Sequence, residues 1–333
     1  MSQITSFLTL LPPSPYLPLS GRSGKLPFSL TNDYLFKAVL QTDESVLRSL
    51  LCSLLDLKPE DIRSVTITNA LVLGATIKDK DTFLDIRLVL NDCRLINLEM
   101  QMKNAGDWPE RSLYYLCRAF NNLETGALYP DVKPAHHIGI LNFSLPHVQK
   151  QFYSHYFMIN EATHEIFSDK LRLSVLNLTQ TALATEHDRH AGLTRWAAAF
   201  KAKTWEEYQM LAEEDSIFEK VSDALYLLSE NREVAEQCLR MQEAAAERKH
   251  WEKIKEQLVD AEKTLAEKER AIAEKDNTIA EKDNALAEKD NALAEKDNAL
   301  AEKDNALAKK DAESSALRAE LEQLKAQLHE YQK

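Results

Sequence analysis

Two acidic residues, Asp85 and Glu99, stand in neighbouring apolar segments and are the side chains of this sequence best placed to do chemistry. Asp85 lies in FLDIRLVL and Glu99 in LINLEMQMK, and both segments alternate apolar and polar residues as half-buried β-strands do. Residues 91–94, Asn-Asp-Cys-Arg, indicate a turn between them and therefore a hairpin. Adjacent carboxylates repel each other unless a cation neutralises them, and oxygen ligands with room for water suit Mg²⁺. Such an ion activates water and stabilises charge on a phosphate under attack.

The pairing register of this hairpin decides whether the two acids meet. If Leu90 pairs with Arg94 across a three-residue loop, Asp85 lies directly opposite Glu99. The alternative is an ordinary surface hairpin with a charged solvent face, which the pattern alone favours because short motifs often match by chance. With this register the apolar face carries Leu84, Ile86, Leu88, Leu90, Ile96, Leu98, Met100 and Met102, and the polar face carries Asp85, Arg87, Asn97, Glu99 and Gln101.

The spacing of these residues resembles a known catalytic core. Asp85, thirteen intervening residues and then Glu99-x-Gln101 is similar to the PD-(D/E)XK nuclease superfamily. More narrowly, it resembles the PD-(D/E)XK nuclease family transposases, also called recombination-promoting nucleases, in which Gln commonly replaces the usual Lys. The resemblance covers residues 28–250 and also rests on Asn32-Asp33-Tyr34-Leu35-Phe36-Lys37, on Arg111 with Tyr114-Tyr115, and on Gly126-x-x-Tyr129.

This resemblance implies a restriction-endonuclease-like α/β fold, with a mixed sheet flanked by helices. It implies a DNA endonuclease that hydrolyses phosphodiester bonds with Mg²⁺ or Mn²⁺ and promotes recombination or transposition. The catalytic residues would be Asp85, Glu99 and Gln101, and the metal ligands would be Asp85, Glu99 and the backbone carbonyl of Met100. Gln is a neutral dipole and cannot act as a base near neutral pH, so water activation would rest on the metal.

Four further residues are implied as phosphate or DNA contacts: Asp33, Lys37, Arg111 and Tyr115. Each pair also has a plainer interpretation that fits the sequence equally well. Asp33 and Lys37 stand four residues apart, as a surface ion pair on a helix does. Arg111 and Tyr115 have the same spacing, and the resemblance implies that they contact the backbone phosphate or buttress the carboxylates. The plainer interpretation is a core tyrosine with an arginine at its rim.

The charge balance argues against DNA binding. The chain carries a net charge of −12, whereas attraction to phosphate is the main source of affinity for DNA. Residues 252–333 hold 21 acidic and 15 basic side chains, so the rest of the chain is acidic as well. The second hypothesis is therefore a catalytically inactive nuclease fold that acts as an oligomerising scaffold. The basic residues available for a local patch are Lys37, Arg48, Lys78, Lys80, Arg87, Lys103, Arg111 and Arg118.

Several classes of protein lack support in the sequence. The four cysteines form no Cys-x-x-Cys pair and indicate reduced thiols in a cytoplasmic protein. A secretory signal requires basic residues near its start, and no basic residue precedes Arg22. No apolar stretch approaches the length of a membrane span. The seven glycines form no phosphate-binding loop. His187 and His190 lack a third metal ligand and fit a solvated helix start.

Four regions follow from these patterns: a flexible Pro-rich arm (1–27), a nuclease-like core (28–180), a helical appendage (187–250) and a heptad-repeat tail (251–333). In the core, Thr31 or Asn32 is suited to cap a helix through Leu40, and Thr42 or Asp43 is suited to cap a second helix through about Leu55. A third helix is predicted from Trp108 to Thr125, closed by Gly126. Predicted strands besides the hairpin are 64–69, 71–77, 136–143, 152–160 and 171–178, and predicted appendage helices are 187–202, 204–213, 216–229 and 231–250.

The tail contains a seven-residue repeat over residues 266–307, in which Leu or Ile recurs at every seventh position. This period predicts a helical rod and homo-oligomers formed through it. With Leu at position d, however, Asp occupies position a, which a two-stranded core disfavours. Leu317, Leu321, Leu324 and Leu328 form a normal a/d seam, so association is expected mainly through the last turns. The alternative is a labile single helix of little function.

Overall fold

The structure is a computed structural model that describes residues 17–70, 85–146 and 148–331. The chain divides into two compact units, one up to Arg248 and one from Lys249. The first unit is built on a mixed six-stranded sheet with the order β1-β2-β3-β4-β6-β5. Its strands are β1 Val65–Ile67, β2 Ile86–Leu90, β3 Arg94–Gln101, β4 Ala135–Leu141, β5 Tyr153–Ile159 and β6 Ile166–Asn177.

Strands β2 and β3 form the predicted antiparallel hairpin, and Leu90 pairs with Arg94, which confirms the predicted register. Asn91 and Asp92 adopt left-handed backbone conformations, with φ of 52° and 58°. The Asn91 side chain accepts hydrogen bonds from the backbone N–H groups of Arg63 and Ser64 and donates to the Asp61 carbonyl. The turn is therefore tied to the chain that leads into β1.

The centre of the sheet is parallel, because β3 pairs with β4 and β4 with β6 in the same direction. A parallel pair needs a crossover connection, and helix α3, Trp108–Phe120, supplies it between β3 and β4. The outer strands β1 and β5 are antiparallel to their neighbours.

One face of the sheet packs into the main hydrophobic core. Leu98, Ile138 and Ile140 lie in one buried cluster with apolar side chains of the flanking helices. Helices α1 (Asp33–Thr42) and α2 (Glu44–Leu55) cover this face, and both begin as predicted. The Asn32 side chain accepts from the backbone N–H of Leu35, and the Asp43 side chain accepts from that of Ser45.

The other face of the sheet is covered by α3. A Cβ atom at Gly139 of β4 would lie 2.2 Å from the Trp108 ring, so this close packing requires glycine. Helix α3 ends at Phe120, and the predicted end at Thr125 was therefore wrong. The Asn122 amide donates to the carbonyls of Ala119 and Lys133, which turns the chain away from the helix axis. Gly126 has φ of 88° in a separate turn further on.

Five helices follow the sheet: α4 Glu186–His190, α5 Leu193–Lys201, α6 Trp205–Glu214, α7 Ile217–Glu230 and α8 Arg232–Tyr331. The helix predicted over 187–202 is in fact two helices, because Gly192 breaks it with a left-handed φ of 79°. The predicted helix 231–250 and the predicted rod are both parts of α8.

No helix of the described residues combines the length and the apolar character needed to span a bilayer.

The last part of the predicted flexible arm is packed against the first unit. The side chain of Arg22 is buried and forms a 2.7 Å ion pair with Asp223. Its guanidinium also lies over the rings of Trp205 and Tyr226, which holds the chain from residue 17 onward by contacts that composition does not reveal. The predicted strand 71–77, Lys78, Lys80 and Leu84 lie outside the described residues.

Candidate active site

Asp85 and Glu99 meet at the open end of the hairpin. Ile86 pairs with Leu98, so Asp85 and Glu99 occupy the next position outward on the polar face. Their residues are only 3% and 4% exposed, which means that this polar face is buried instead of displayed to solvent. Burial raises the pKa of Glu99, and the negative charge of Asp85 adds to this increase, whereas Arg111 opposes it. The two carboxyl groups are therefore close enough to interact.

Each carboxylate is paired with one arginine. Arg87 Nε donates to Asp85 Oδ2 at 3.0 Å, and Arg111 Nε donates to Glu99 Oε1 at 2.7 Å. These ion pairs compensate part of the cost of burying two negative charges side by side. They also leave one oxygen of each carboxylate, Asp85 Oδ1 and Glu99 Oε2, buried without a hydrogen-bond partner.

Gln101 contributes a third oxygen of the same kind. It lies two residues after Glu99 on the same face of β3, and its Oε1 is also buried and without a hydrogen-bond partner. Buried polar atoms are normally hydrogen-bonded, so these three oxygens, together with Asn97 Oδ1 on the same hairpin face, call for a ligand. Oxygen donors of this kind fit Mg²⁺ or Mn²⁺.

The described part of the chain holds no cluster of three His, Cys, Asp or Glu residues suited to a metal. An ion bound here would therefore rely on two carboxylates together with amide or backbone oxygens and water. Met100 lies between the site residues, and its side chain is buried in the main core. Only the backbone of Met100 is available on the polar side.

Lys37 of α1 reaches the site from the main core. Its Nζ donates to the backbone carbonyl of Asp85 at 3.1 Å, and the Asn69 amide donates to the same oxygen at 2.8 Å. Burial is the main cause that lowers the pKa of Lys37 to about 8; Asp85 opposes this shift and Arg87 adds to it. The ammonium group is thus held next to the residue that precedes β2. Asp33 is half-buried at the first turn of the same helix.

Helix α3 brings Arg111 and Tyr115 to the acidic pair. The Arg111 guanidinium lies 5.4 Å from the centre of the Tyr115 ring, in addition to its ion pair with Glu99. The Tyr115 ring is in turn stacked on His137, with ring centres 6.3 Å apart and planes 10° apart. Arg111 and Tyr115 are therefore part of one cluster with Glu99.

His137 was missed by the sequence analysis. It lies on β4 beside Glu99, with its Nε2 3.6 Å from Glu99 Oε2, and burial lowers its pKa to about 3, so the ring is neutral. The Asn97 amide donates to His137 Nδ1 at 2.9 Å, which places the ring proton on Nε2, towards Glu99. The only signal was a His-His pair in an apolar strand, and that pair did not show which strand β4 would join.

These features define a class of protein before any comparison. A mixed sheet flanked by helices, with two acids brought together by an antiparallel hairpin, is the nuclease fold that the sequence suggested. A family model described as PD-(D/E)XK nuclease family transposase matches residues 30–255, which is more than half of the chain. The protein belongs to this family, and the resemblance is confirmed. No curated protein and no solved structure matches the chain.

Proposed function

We propose that this protein is a divalent-metal-dependent DNA endonuclease that hydrolyses phosphodiester bonds and promotes recombination or transposition in the cytoplasm. Membership of a family of nuclease-fold transposases supports DNA as the substrate. The observation that carries the proposal is the set of buried, unpartnered oxygens on one hairpin face: Asp85 Oδ1, Glu99 Oε2 and Gln101 Oε1. Nucleases of this kind generally use divalent metals.

Asp85 and Glu99 would hold Mg²⁺ or Mn²⁺, joined by the backbone carbonyl of Met100. A divalent ion at such a site activates water and stabilises negative charge on the phosphate under attack. Gln101 would orient the attacking water or the scissile phosphate through its amide, since it has neither charge nor basicity. His137 would hold the Glu99 carboxylate in position from the neighbouring strand, across the 3.6 Å separation.

Positive charge in the site would come from outside the motif. Gln101 stands where a lysine is usual, and Lys37 places an ammonium group beside Asp85 from a different element. Arg111 would neutralise Glu99 until a cation enters and would then be free to contact the DNA phosphate. Tyr115 would keep the guanidinium in place through its ring. Asp33, which lies on the same helix as Lys37, would support the contact with the DNA phosphate.

Two copies of the chain are expected to act together. The tail exposes Leu or Ile at every seventh position, and such a series is suited to pairing with another helix. A second copy would add a second active site and a second set of DNA contacts, which strengthens binding because the two sites are linked.

The test is cleavage of plasmid DNA with Mg²⁺ by the purified wild type, Asp85→Ala and Glu99→Ala. We expect both substitutions to reduce the rate at least about a hundredfold, because each would remove a metal ligand. Asp92→Asn is the control, since Asp92 is an exposed acid on the same hairpin and asparagine tolerates its left-handed backbone, and it should cleave like the wild type. Equal cleavage by all four proteins would attribute the activity to a contaminant.

The second candidate is a nuclease fold without catalysis that serves as an oligomerising scaffold. The arginine on each carboxylate favours it, because two internal ion pairs can stabilise the acids without any metal. Calorimetric titration with Mn²⁺ separates the two candidates. Binding that depends on Asp85 and Glu99 supports the enzyme, and a folded protein that binds no ion supports the scaffold.

A further inference from the structure

The apolar residues of the tail follow one continuous frame. Starting at Trp251, every seventh residue of α8 is apolar as far as Leu307, and after Ser314 the series continues at Leu321 and Leu328. Every apolar member is between 53% and 67% exposed. The members are Trp251, Leu258, Leu265, Ile272, Ile279, Leu286, Leu293, Leu300, Leu307, Leu321 and Leu328. We call this series the a positions of the tail, a frame that replaces the assignment of Leu to position d because it continues into Leu321 and Leu328.

The d positions lie three residues after each a position and differ along the rod. Near the end they are Leu317 and Leu324, which complete an apolar seam together with Leu321 and Leu328. Along the repeat they are lysines, namely Lys268, Lys275, Lys282, Lys289, Lys296 and Lys303. In the middle of the helix, therefore, only the a positions are apolar, and the d positions are charged. The contact with a partner helix is concentrated in residues 314–331, which we call the terminal seam.

The charged residues that flank the terminal seam suit only one orientation of two identical helices. The g positions are Glu313 and Glu320, and the e positions are Arg318 and Lys325. In a parallel pair, each g position faces the e position five residues further along the other helix. Glu313 then faces Arg318 of the second copy, and Glu320 faces Lys325 of the second copy. An antiparallel pair would place glutamates against glutamates and basic residues against basic residues.

We propose that the terminal seam pairs with that of a second copy as a parallel, in-register, two-stranded coiled coil. In this orientation both chains enter the terminal seam from the same end. This inference rests on the self-association included in the proposed function. It does not depend on whether the protein cleaves DNA.

Orientation is tested by oxidative cross-linking of the full chain. In a parallel in-register pair, two Leu321→Cys residues face each other at an a position, whereas Ala326→Cys lies at position f on the outside. We expect Leu321→Cys to form a disulfide-linked dimer under mild oxidation and Ala326→Cys to stay at the background of the wild type, which has four free cysteines. Equal cross-linking of the two variants would overturn the parallel register.

A charge exchange within one chain gives an independent test. In a parallel dimer, Glu320→Lys faces Lys325 of the second copy and should raise the dissociation constant roughly tenfold, since two symmetric pairs become repulsive. Adding Lys325→Glu restores opposite charges, and the dimer should recover while circular dichroism shows unchanged helix content. In an antiparallel dimer Glu320→Lys would not weaken association, because the g positions that face each other there carry glutamates and the new lysine would relieve their repulsion.

Sedimentation of the wild type tests the self-association of the chain separately from the parallel orientation. We expect twice the chain mass of 37.9 kDa at tens of micromolar protein. A monomer at that concentration would overturn both the self-association and the orientation. A dimer without selective cross-linking and without charge recovery would overturn the orientation alone.

Discussion

The pKa of Glu99 is raised by some of its surroundings and lowered by others, and this pKa sets the pH range in which Glu99 can bind a cation. Burial and the charge of Asp85 raise its pKa, and Arg111 lowers it through an ion pair of 2.7 Å. A raised pKa means that protons compete with a metal for this carboxylate at higher pH than for an ordinary glutamate. The residue therefore makes metal binding sensitive to mild acid.

We predict that the affinity for Mn²⁺ falls as the pH is lowered from 7.5 to 5.5. In Arg111→Gln the loss should begin at a higher pH, since the charge that lowers the pKa of Glu99 is removed. Calorimetric titrations over this pH range measure both effects. An affinity that does not change with pH in either protein would contradict this description of Glu99.

Lys37 provides a second prediction at this scale. Burial lowers its pKa from 10.5 to about 8, so between these values the unfolded chain binds more protons than the folded one. The cost of burying the ammonium is thus fully present below pH 8 and disappears as the pH rises towards 10.5. Relative to Lys37→Met, the wild type should gain up to roughly 3 kcal/mol over this window. Urea unfolding at pH 7 and pH 10 measures the difference, and a constant difference would contradict it.

How far single residues can be predicted depends on whether their neighbours are close in the sequence. Asp85 and Glu99 were found because the strand alternation and the turn between them fix their register locally. His137 and Asn69 reach the same site from β4 and from the chain after β1, and their contacts depend on strand pairing that no local pattern specifies. The sequence therefore pointed to the acids and, through the family resemblance, to Lys37 and Arg111, but it did not point to His137 or Asn69.

Helix α3 is the element that closes the site, because it covers the polar face of the hairpin and carries Arg111 and Tyr115. Its position depends on the contact between Trp108 and Gly139, where the ring lies against the backbone of β4. The helix itself was predicted from its capping residues, but its end was not. The side chain of Asn122 stops it by bonding to a carbonyl eleven residues ahead, which a helical pattern cannot indicate.

Gly139→Ala tests this packing. The new Cβ would lie 2.2 Å from the Trp108 ring, so we expect a loss of about 1–3 kcal/mol of stability and a weaker ion pair between Arg111 and Glu99. In a Trp108→Phe background the smaller ring leaves room, and the same substitution should cost less. Denaturant unfolding of the four proteins forms a double-mutant cycle. Equal costs in both backgrounds would show that the ring does not limit the space.

The whole molecule consists of two units with different requirements. The first unit has its own hydrophobic core and the candidate active site, and the second is a helix whose apolar residues are exposed. The sequence predicted a separate heptad-repeat tail over residues 251–333. It also suggested a free N-terminal arm, yet the ion pair of Arg22 with Asp223 joins residues 201 positions apart.

For the whole molecule, we predict that substitutions in the terminal seam abolish the dimer without changing the stability of the first unit. Replacing Leu321 and Leu324 by Asp should convert the dimer to a monomer, since both residues lie in the terminal seam. The thermal unfolding of the first unit should stay within about 0.5 kcal/mol of the wild type, because surface substitutions far from a core have small effects. Ala326→Asp, on the outer face of the same helix, should remain dimeric. Loss of the first unit's stability would contradict the division.

The central claim is that Asp85 and Glu99 form one site for a divalent cation, and direct calorimetric titration with Mn²⁺ at pH 7.5 is its most direct test. The account predicts that the wild type and Asp92→Asn bind with similar affinity, whereas Asp85→Asn and Glu99→Gln each lose binding at least about tenfold. Circular dichroism should show all four proteins folded. Binding that is unchanged by Asp85→Asn and Glu99→Gln, or the absence of binding in the wild type, would contradict the claim.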